Sequence, residues 1–328
     1  MGKRTRKQKT ISVLLVIIAF IFFKNSSLLV KPAMLRPVLV AHRGVHQTFS
    51  MEGIKWDTNT AERIYPPEHS YLENTIPSMA AAFAAGADLV ELDIQLTKDG
   101  QLAVFHDGPL EYRTNGEGWV ADYTMAELRK LDLGYGYTAD GGKTFPLRGA
   151  GVGLMPSLDE VLTTFPDRAF LVHLKSNQPQ LGELLVQYLK TLPQERLDQL
   201  TFYGNDDPLA VLQGEFPKLR VMSKQTIIKA VLSYMAVGWT GYVPSAMQNA
   251  HLHLPLRYAR FLWGWPKRFL ARMEKANTRI ILVLGDGQWS EGFDTEADLA
   301  PLPPNYTGGI WTNRIERIGP LIEESFGQ

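Results

Sequence analysis

Short apolar runs that alternate with amphipathic stretches constrain this chain more than any other feature. Eight runs have strand character: 38–41, 89–96, 170–174, 200–203, 219–222, 241–243, 279–284 and 309–312. Helical patterns separate several of them, at 75–85, 124–131, 157–165, 180–192, 224–237 and 266–276. Such alternation predicts a parallel sheet. Eight units in about 290 residues fit an α/β TIM barrel, (β/α)8. A doubly wound open sheet is the runner-up. That fold usually brings a Gly-rich nucleotide turn, and none follows the first run.

The chain has 328 residues, 45% of them hydrophobic, enough for a sizeable core and too many for disorder. It has no cysteine, which excludes disulfides, zinc–thiolate sites and cysteine nucleophiles. Of 34 basic residues, five (Lys3, Arg4, Arg6, Lys7 and Lys9) lie in the first ten positions, leaving 29 against 34 acids. A mildly acidic body argues against nucleic-acid binding. The basic tail precedes an apolar run, 11–23, whose one polar residue is Ser12. As a helix this run spans about 20 Å, short of a hydrocarbon core of roughly 30 Å. The length suits a signal-peptide apolar region, yet no small-x-small cleavage site follows. Extension to Val30 gives 20 residues if Lys24 snorkels to a headgroup. Residues 1–30 therefore read as a cytoplasmic basic tail and an uncleaved signal anchor, 31–37 as a linker and 38–328 as the barrel. The tail puts the N-terminus in the cytoplasm and the barrel on the extracytoplasmic side of the membrane. Cleavage would make the barrel secreted or periplasmic. A buried helix of the domain is the remaining reading of this run.

One connection breaks the strand–helix alternation. Too few residues separate Leu96 from Leu102 for a parallel crossover, so the segment is a hairpin. Asp99-Gly100 is a two-residue turn signal. With that turn, Asp93 lies opposite His106, and Glu91, Asp93 and His106 share a face. His42-Arg43-Gly44 ends the first run, and His173 and Lys175 share a face at the end of the third. Histidines suit acid/base work near neutrality. Glu91 and Asp93 suit a hard cation or, alternatively, an ion pair with Arg43 or Lys175. Arg43 offers a planar fork for phosphate. A lysine on a barrel's inner face is rare unless paired, so Lys175 fits a phosphate contact. Asn74 reads as a helix cap, as a site residue or as both, with Glu73 beside it as a further site carboxylate. These are residue types that phosphodiester cleavage needs.

The longest irregular stretches, 45–71 and 108–156, each follow a candidate site residue, where a barrel builds its site. Within the second, the Gly- and Tyr-rich 132–143 reads either as a lid or substrate wall, or as an ordered loop packed on its tyrosines. His46, His69, His251 and His253 read as loop residues outside the set. Trp311 reads as a core aromatic or a pocket wall.

The ordered set His42-Arg43-Gly44, Glu73-Asn74-Thr75, Glu91-Leu92-Asp93, Thr97-Lys98-Asp99-Gly100 and His106-Asp107 resembles the glycerophosphodiester phosphodiesterase family, of the phosphatidylinositol-phospholipase-C-like type. Residues 113–128, 155–162 and 309–314 also look like the family's, so the resemblance covers roughly 38–318. It implies a TIM barrel that hydrolyses glycerophosphodiesters to an alcohol and glycerol 3-phosphate, usually with a divalent metal, Mg²⁺ or Ca²⁺. His42 and His106 would be the acid/base pair. Glu91 and Asp93 would hold the metal, with Glu73 close by, and Arg43 and Lys175 would bind phosphate. Two departures stand out. Many relatives have Glu-x-Lys where this chain has His173-Leu174-Lys175, so that either His173 ligates the metal in place of a carboxylate or water takes that position. The stretch from Gly44 to Glu73 is long, which implies an altered entrance. Two other functions stay open: phospholipase-D-like hydrolysis of lysophospholipids at the membrane, and a catalytically silent barrel that binds phosphodiesters or a partner.

Overall fold

A computed structural model describes residues 6–31, 36–287 and 291–326. Its strands are β1 (Val38–Ala41), β2 (Leu89–Leu96), β3 (Leu102–Val104), β4 (Ala169–Leu174), β5 (Leu200–Gly204), β6 (Arg220–Met222), β7 (His251–Pro255), β8 (Arg279–Val283) and β9 (Gly309–Thr312). Eight are parallel and run in the order β6-β5-β4-β2-β1-β9-β8-β7, with β3 antiparallel beside β2. A parallel bridge from Val221 to Ala250 brings β6 to β7 and nearly closes the ring. The expected TIM barrel is therefore the fold.

Seven of the eight expected strands form where the sequence places them. The exception is 241–243, which is irregular and preceded by a 3-10 turn; Gly241 is left-handed there, at φ +90°. The missing strand is β7, in which His251 and His253 alternate with Leu252 and Leu254. Its inward face is polar, so it lacks the apolar run that marks a buried parallel strand. His251 and His253 are thus barrel residues and not loop residues.

The helices that build the outer layer are α2 (Ile76–Ala84), α3 (Leu158–Thr164), α4 (Pro179–Leu189), α5 (Asp206–Glu215), α6 (Lys224–Val237), α7 (Lys267–Lys275) and α8 (Ile315–Phe326), after an N-terminal α1 (Arg6–Asn25). Reciprocal Ser/Thr capping boxes start α2 at Thr75, α3 at Ser157 and α6 at Ser223. Alternation along the strands divides the apolar residues into two layers. Leu39, Ala41, Val90, Leu92, Phe170, Val172 and Phe202 pack outward on the helices. Val40, Leu89, Leu171, Ile281, Val283 and Trp311 fill the barrel.

The two long loops build a third core. Ile64, Leu72, Phe105, Leu110, Val120, Leu133, Tyr137 and Leu147 cluster there, all buried. Asp132 accepts backbone N–H bonds from Gly134, Gly149 and Gly151, which pins 132–151 down. The 132–143 stretch is thus an ordered loop packed on Tyr137.

The hairpin differs from its expected register. Ile94 pairs with Val104 and Leu96 with Leu102, so three residues, 98–100, form the turn and not two. Gly100 is left-handed (φ +73°), as the last position of a three-residue hairpin turn requires. Thr97 Oγ1 stabilises the wider loop by accepting the Gln101 N–H at 2.8 Å. Asp93 consequently faces Phe105, whose N–H donates to the Asp93 carbonyl at 3.0 Å. His106 follows in irregular backbone held by Gln95, whose Nε2 donates to the Phe105 and Asp107 carbonyls at 3.0 and 2.8 Å.

Helix α1 has 20 residues, none buried, and is long and apolar enough to cross a membrane. It stops at Asn25, short of Val30. Asn25 Nδ2 then donates to the Trp239 carbonyl (2.8 Å), and Ser27 Oγ to that of Gly264 (3.0 Å). The segment after α1 is therefore docked on the barrel through Ser27. Of the expected linker, 32–35 lie outside the described residues, as do Lys3 and Arg4 of the basic tail.

Candidate active site

Strand register assembles the first half of the site. Asp93 on β2 is level with His173 on β4, which is level with Tyr203 on β5. His173 Nδ1 lies 2.8 Å from Asp93 Oδ1, and its ring stacks on Tyr203 with 4.1 Å between centroids. Tyr203 donates its hydroxyl to Glu91 Oε1 at 2.6 Å. One atom each from Glu91, Asp93 and His173 lies within 4.8 Å of the others, a group able to hold a metal ion. Lys175 Nζ is 3.9 Å from Asp93 Oδ1.

β1 ends beside this row. Arg43 donates its backbone N–H to Glu91 Oε2 at 3.1 Å, with φ +53°. Holding a non-glycine residue in that region costs about 1–3 kcal/mol, which the surroundings offset. The next residue has to be small as well. A Cβ on Gly44 (φ +79°) would lie 2.5 Å from Ser78 Oγ and 2.9 Å from the Ser78 carbonyl carbon. Gly44→Ala is therefore expected to destabilise the fold by about 1–3 kcal/mol, read as a lowered urea midpoint. An unchanged midpoint would mean that the turn relaxes freely.

His42 has its Nδ1 2.7 Å from Asn313 Oδ1, at the end of β9. The Asn313 amide is itself oriented, since its Nδ2 donates to Asp294 Oδ2 at 2.9 Å. The oxygen thus faces His42, Nδ1 carries the proton, and Nε2 keeps its lone pair. Nε2 is 3.9 Å from Glu91 Oε2. Burial, then the charge of Arg43, holds His42 well below the usual imidazole value. Trp311 lies fully buried under the His42 ring at 4.8 Å, a floor and not an exposed wall. His46, read above as outside the set, packs edge-on against His42 at 5.2 Å.

The second half centres on His106, Asp107 and Glu73, which also form one close group. His106 Nδ1 is 3.2 Å from Asp107 Oδ1. Glu73 lies in this group and not with Glu91, Asp93 and His173. It pairs with Arg43 (3.0 Å) and Arg113 (3.2 Å). Arg43 is thereby turned to Glu73, and its Nε lies 3.4 Å from Asp93 Oδ2. Asn74 is not the helix cap, because Thr75 takes that place. Asn74 donates Nδ2–H to Asp93 Oδ2 (2.9 Å) and accepts the Asp93 N–H (3.1 Å). Arg113, Asn313, Asp294 and Tyr203 escaped the sequence reading. For Tyr203 the signal was there, since alternation from Thr201 turns it inward.

The electrostatics fit a cation. Burial would push Asp93 up, but His106, Arg43 and Lys175 hold it well below the usual carboxylate range. Glu91 moves the other way: burial and the neighbouring Asp93 push it up to about 8 against the opposing charge of Arg43 and the Tyr203 hydroxyl. Glu73, Asp93 and Asp107 pair with the cationic side chains of Arg43, Arg113 and Lys175, and Glu91 has no Lys or Arg partner in these ion pairs. A carboxylate pair one positive charge short is what a metal site presents.

The sequence profile of the Glycerophosphoryl diester phosphodiesterase family matches residues 42–225. A glycerophosphodiester phosphodiesterase of Caldanaerobacter subterraneus subsp. tengcongensis is 41% identical over 123 residues, 36% of this chain and 47% of that protein. One of Bacillus subtilis is 37% identical over 163 residues, 48% of this chain and 52% of that protein. These matches span about half the length of each relative. The glycerophosphoryl diester phosphodiesterase domain of an uncharacterized Mycobacterium tuberculosis protein superposes with a TM-score of 0.61 at 17% identity, covering 87% of this chain and 99% of that one. An Oleispira antarctica phosphodiesterase in complex with the product sn-glycerol-3-phosphate has a TM-score of 0.54 at 18% identity, covering 89% and 98%. The profile spans more than half of the chain and includes every motif from His42 to Lys175, so this chain belongs to the glycerophosphoryl diester phosphodiesterase family.

Proposed function

We propose that this protein hydrolyses glycerophosphodiesters to an alcohol and glycerol 3-phosphate, with a bound divalent cation and with His42 and His106 moving the protons. The observation that carries this reading is a tautomer-fixed His42 beside the buried Glu91–Asp93 pair, with His106 acting on the same Asp93. The family membership supports it, as does the product held by the similar Oleispira enzyme.

Glu91, Asp93 and His173 would hold the cation, Mg²⁺ or Ca²⁺. When bound, it neutralises the phosphodiester and polarises its P–O bonds. The protein's own groups supply the rest. His42 Nε2, neutral and unprotonated, accepts the proton of the attacking hydroxyl, either a water or a neighbouring hydroxyl of the substrate, whose cyclic phosphate a water then opens to glycerol 3-phosphate. His106 gives a proton to the departing alkoxide as the P–O bond breaks; burial and the charges of Arg43 and Lys175 hold it below the usual imidazole value, and the Asp93 and Asp107 carboxylates oppose that shift. Lys175 binds a phosphate oxygen, and Arg43 completes the positive wall while bonded to Glu73. Helix α1 anchors the barrel in a membrane on the extracytoplasmic side.

A panel of glycerophosphocholine, glycerophosphoethanolamine and a lysophospholipid, run with the full chain in detergent, tests this. Chelation is expected to lower turnover of the glycerophosphodiesters at least about 100-fold, with recovery on adding Mg²⁺ or Ca²⁺. Turnover that ignores the chelator would remove the metal roles of Glu91, Asp93 and His173. Turnover of the lysophospholipid alone would replace the substrate.

A further inference from the structure

Charge is distributed unevenly along the barrel. Between Glu215 and Glu274 the sequence has nine bases (Lys218, Arg220, Lys224, Lys229, Arg257, Arg260, Lys267, Arg268 and Arg272) and no acid. Outside this stretch and the ten N-terminal residues, 20 bases face 34 acids. The same stretch carries large apolar side chains on its surface. On α6, Ile228, Leu232 and Met235 recur at i, i+4 and i+7, one stripe of the helix, and Leu232 is 61% exposed. The segment after β7 adds Tyr258 at 55% and Phe261 at 69%. A surface helix of a barrel normally turns such a stripe inward. Here α6 packs Ile227, Ala230, Val231 and Tyr234 on the core and carries Ile228, Leu232 and Met235 as a second, exposed stripe.

These elements meet where α1 leaves the barrel. The Trp263 indole donates to the Met235 carbonyl at 2.9 Å, which joins the 256–265 segment to the C-terminal half of α6. Trp239, just past α6, packs edge-on against Phe20 of α1, 6.4 Å between ring centroids. Arg272 of α7 donates to the Lys24 carbonyl (2.7 Å) and to Asn25 Oδ1 (3.1 Å). A bilayer that receives α1 therefore borders the acid-free stretch 216–273 of the barrel.

We infer that the surface formed by α6 and residues 256–268 rests on an anionic lipid surface, so that the barrel lies against the membrane and is not merely tethered to it. The occupant is the headgroup layer. Lys and Arg attract its phosphates, and Ile228, Leu232, Tyr258 and Phe261 enter the boundary with the acyl chains. Exposed apolar groups among bases fit this interface better than they fit the acidic surface of a second copy. The inference rests on α1 being a membrane anchor.

The absence of cysteine allows a direct test with the full chain in lipid nanodiscs. Single labels are placed at Leu232→Cys, at Phe261→Cys and, as a control across the barrel on α2, at Ala84→Cys. Nitroxide-bearing lipids are expected to quench the first two labels and not the third, in discs that contain phosphatidylglycerol. Combining Lys229→Glu, Arg257→Glu and Arg260→Glu is expected to release the two labels from the lipid, each removed base weakening the contact about fivefold. Incorporation into discs with all three labels equally open to a water-soluble quencher would overturn the face and leave the anchor standing. Failure of the chain to incorporate would overturn both. Labels shielded from water but not quenched by nitroxide lipids would assign the face to a protein partner and reject the lipid.

Discussion

His42→Ala and His106→Ala are each expected to lower the turnover of glycerophosphocholine by about 10²–10⁴-fold while the protein stays folded. The two losses have different origins. His42 is fixed by Asn313, which is fixed in turn by Asp294, so its alanine variant loses the proposed base, whose free nitrogen is already set. His106 sits in a loop held by Gln95, and its variant loses the group beside Asp107 while the loop keeps its backbone bonds. In the proposed mechanism both histidines serve one proton circuit, so the double variant should lose much less than the product of the single losses. The measurements are kcat and KM for each variant, with circular dichroism to confirm folding. Full activity in either single variant would sink the acid/base assignment.

Arg113→Ala is expected to destabilise the protein by about 3–5 kcal/mol, the usual effect of removing one partner from a buried ion pair. Arg113 is 2% exposed. Its Nε bonds Asp107, its Nη1 lies 3.2 Å from Glu73 Oε2, and its Nη2 donates to Thr60 Oγ1 at 2.7 Å. The guanidinium also covers the Tyr137 ring at 5.1 Å, so the loop core loses contacts along with the charge. Without it, Asp107 and Glu73 stay buried and undercompensated. Lysine should not rescue, because it cannot reach three acceptors in a plane.

The deficit should depend on pH. Burial alone would raise Asp107, but the charges of Arg113 and His106 hold it below the usual carboxylate range. A depressed carboxylate contributes stability that is full above its unfolded value of about 3.9 and is lost as pH falls through the folded value. The gap between the variant and the natural protein is thus widest near neutrality and narrows in acid. Urea unfolding at several pH values checks this. A constant gap would assign the effect to lost packing, not charge.

The barrel was legible because β1, β4 and β8 contain continuous apolar runs and β2 keeps a full apolar outer face. β7 was not, since His251 and His253 replace the inward apolar residues and leave only Leu252 and Leu254 to signal a strand. The hairpin shows the limit of local rules. Asp99-Gly100 marks a turn correctly, but whether it has two or three residues depends on Thr97 closing the wider loop, and that changes which residue faces Asp93. His106 still joins the site, through Gln95 and not through strand pairing. Asn74 met a similar ambiguity. Its position suits a cap, and only the packing of β2 against the 73–75 turn gives it to Asp93.

The sequence by itself determined the strand–helix alternation, the apolar N-terminal run and the reacting residue types, because period and chemistry are local properties. Tertiary structure decided the partners. Glu73 went to two arginines, Glu91 to Tyr203 and the Arg43 backbone, and His42 to an asparagine 271 positions away. It also decided that the acid-free stretch 216–273 meets helix α1. The physical reason is the same in each case. Charge and hydrogen-bond compensation in a low-dielectric interior depends on distances set by strand register and loop packing, and spacing along the chain does not encode those distances.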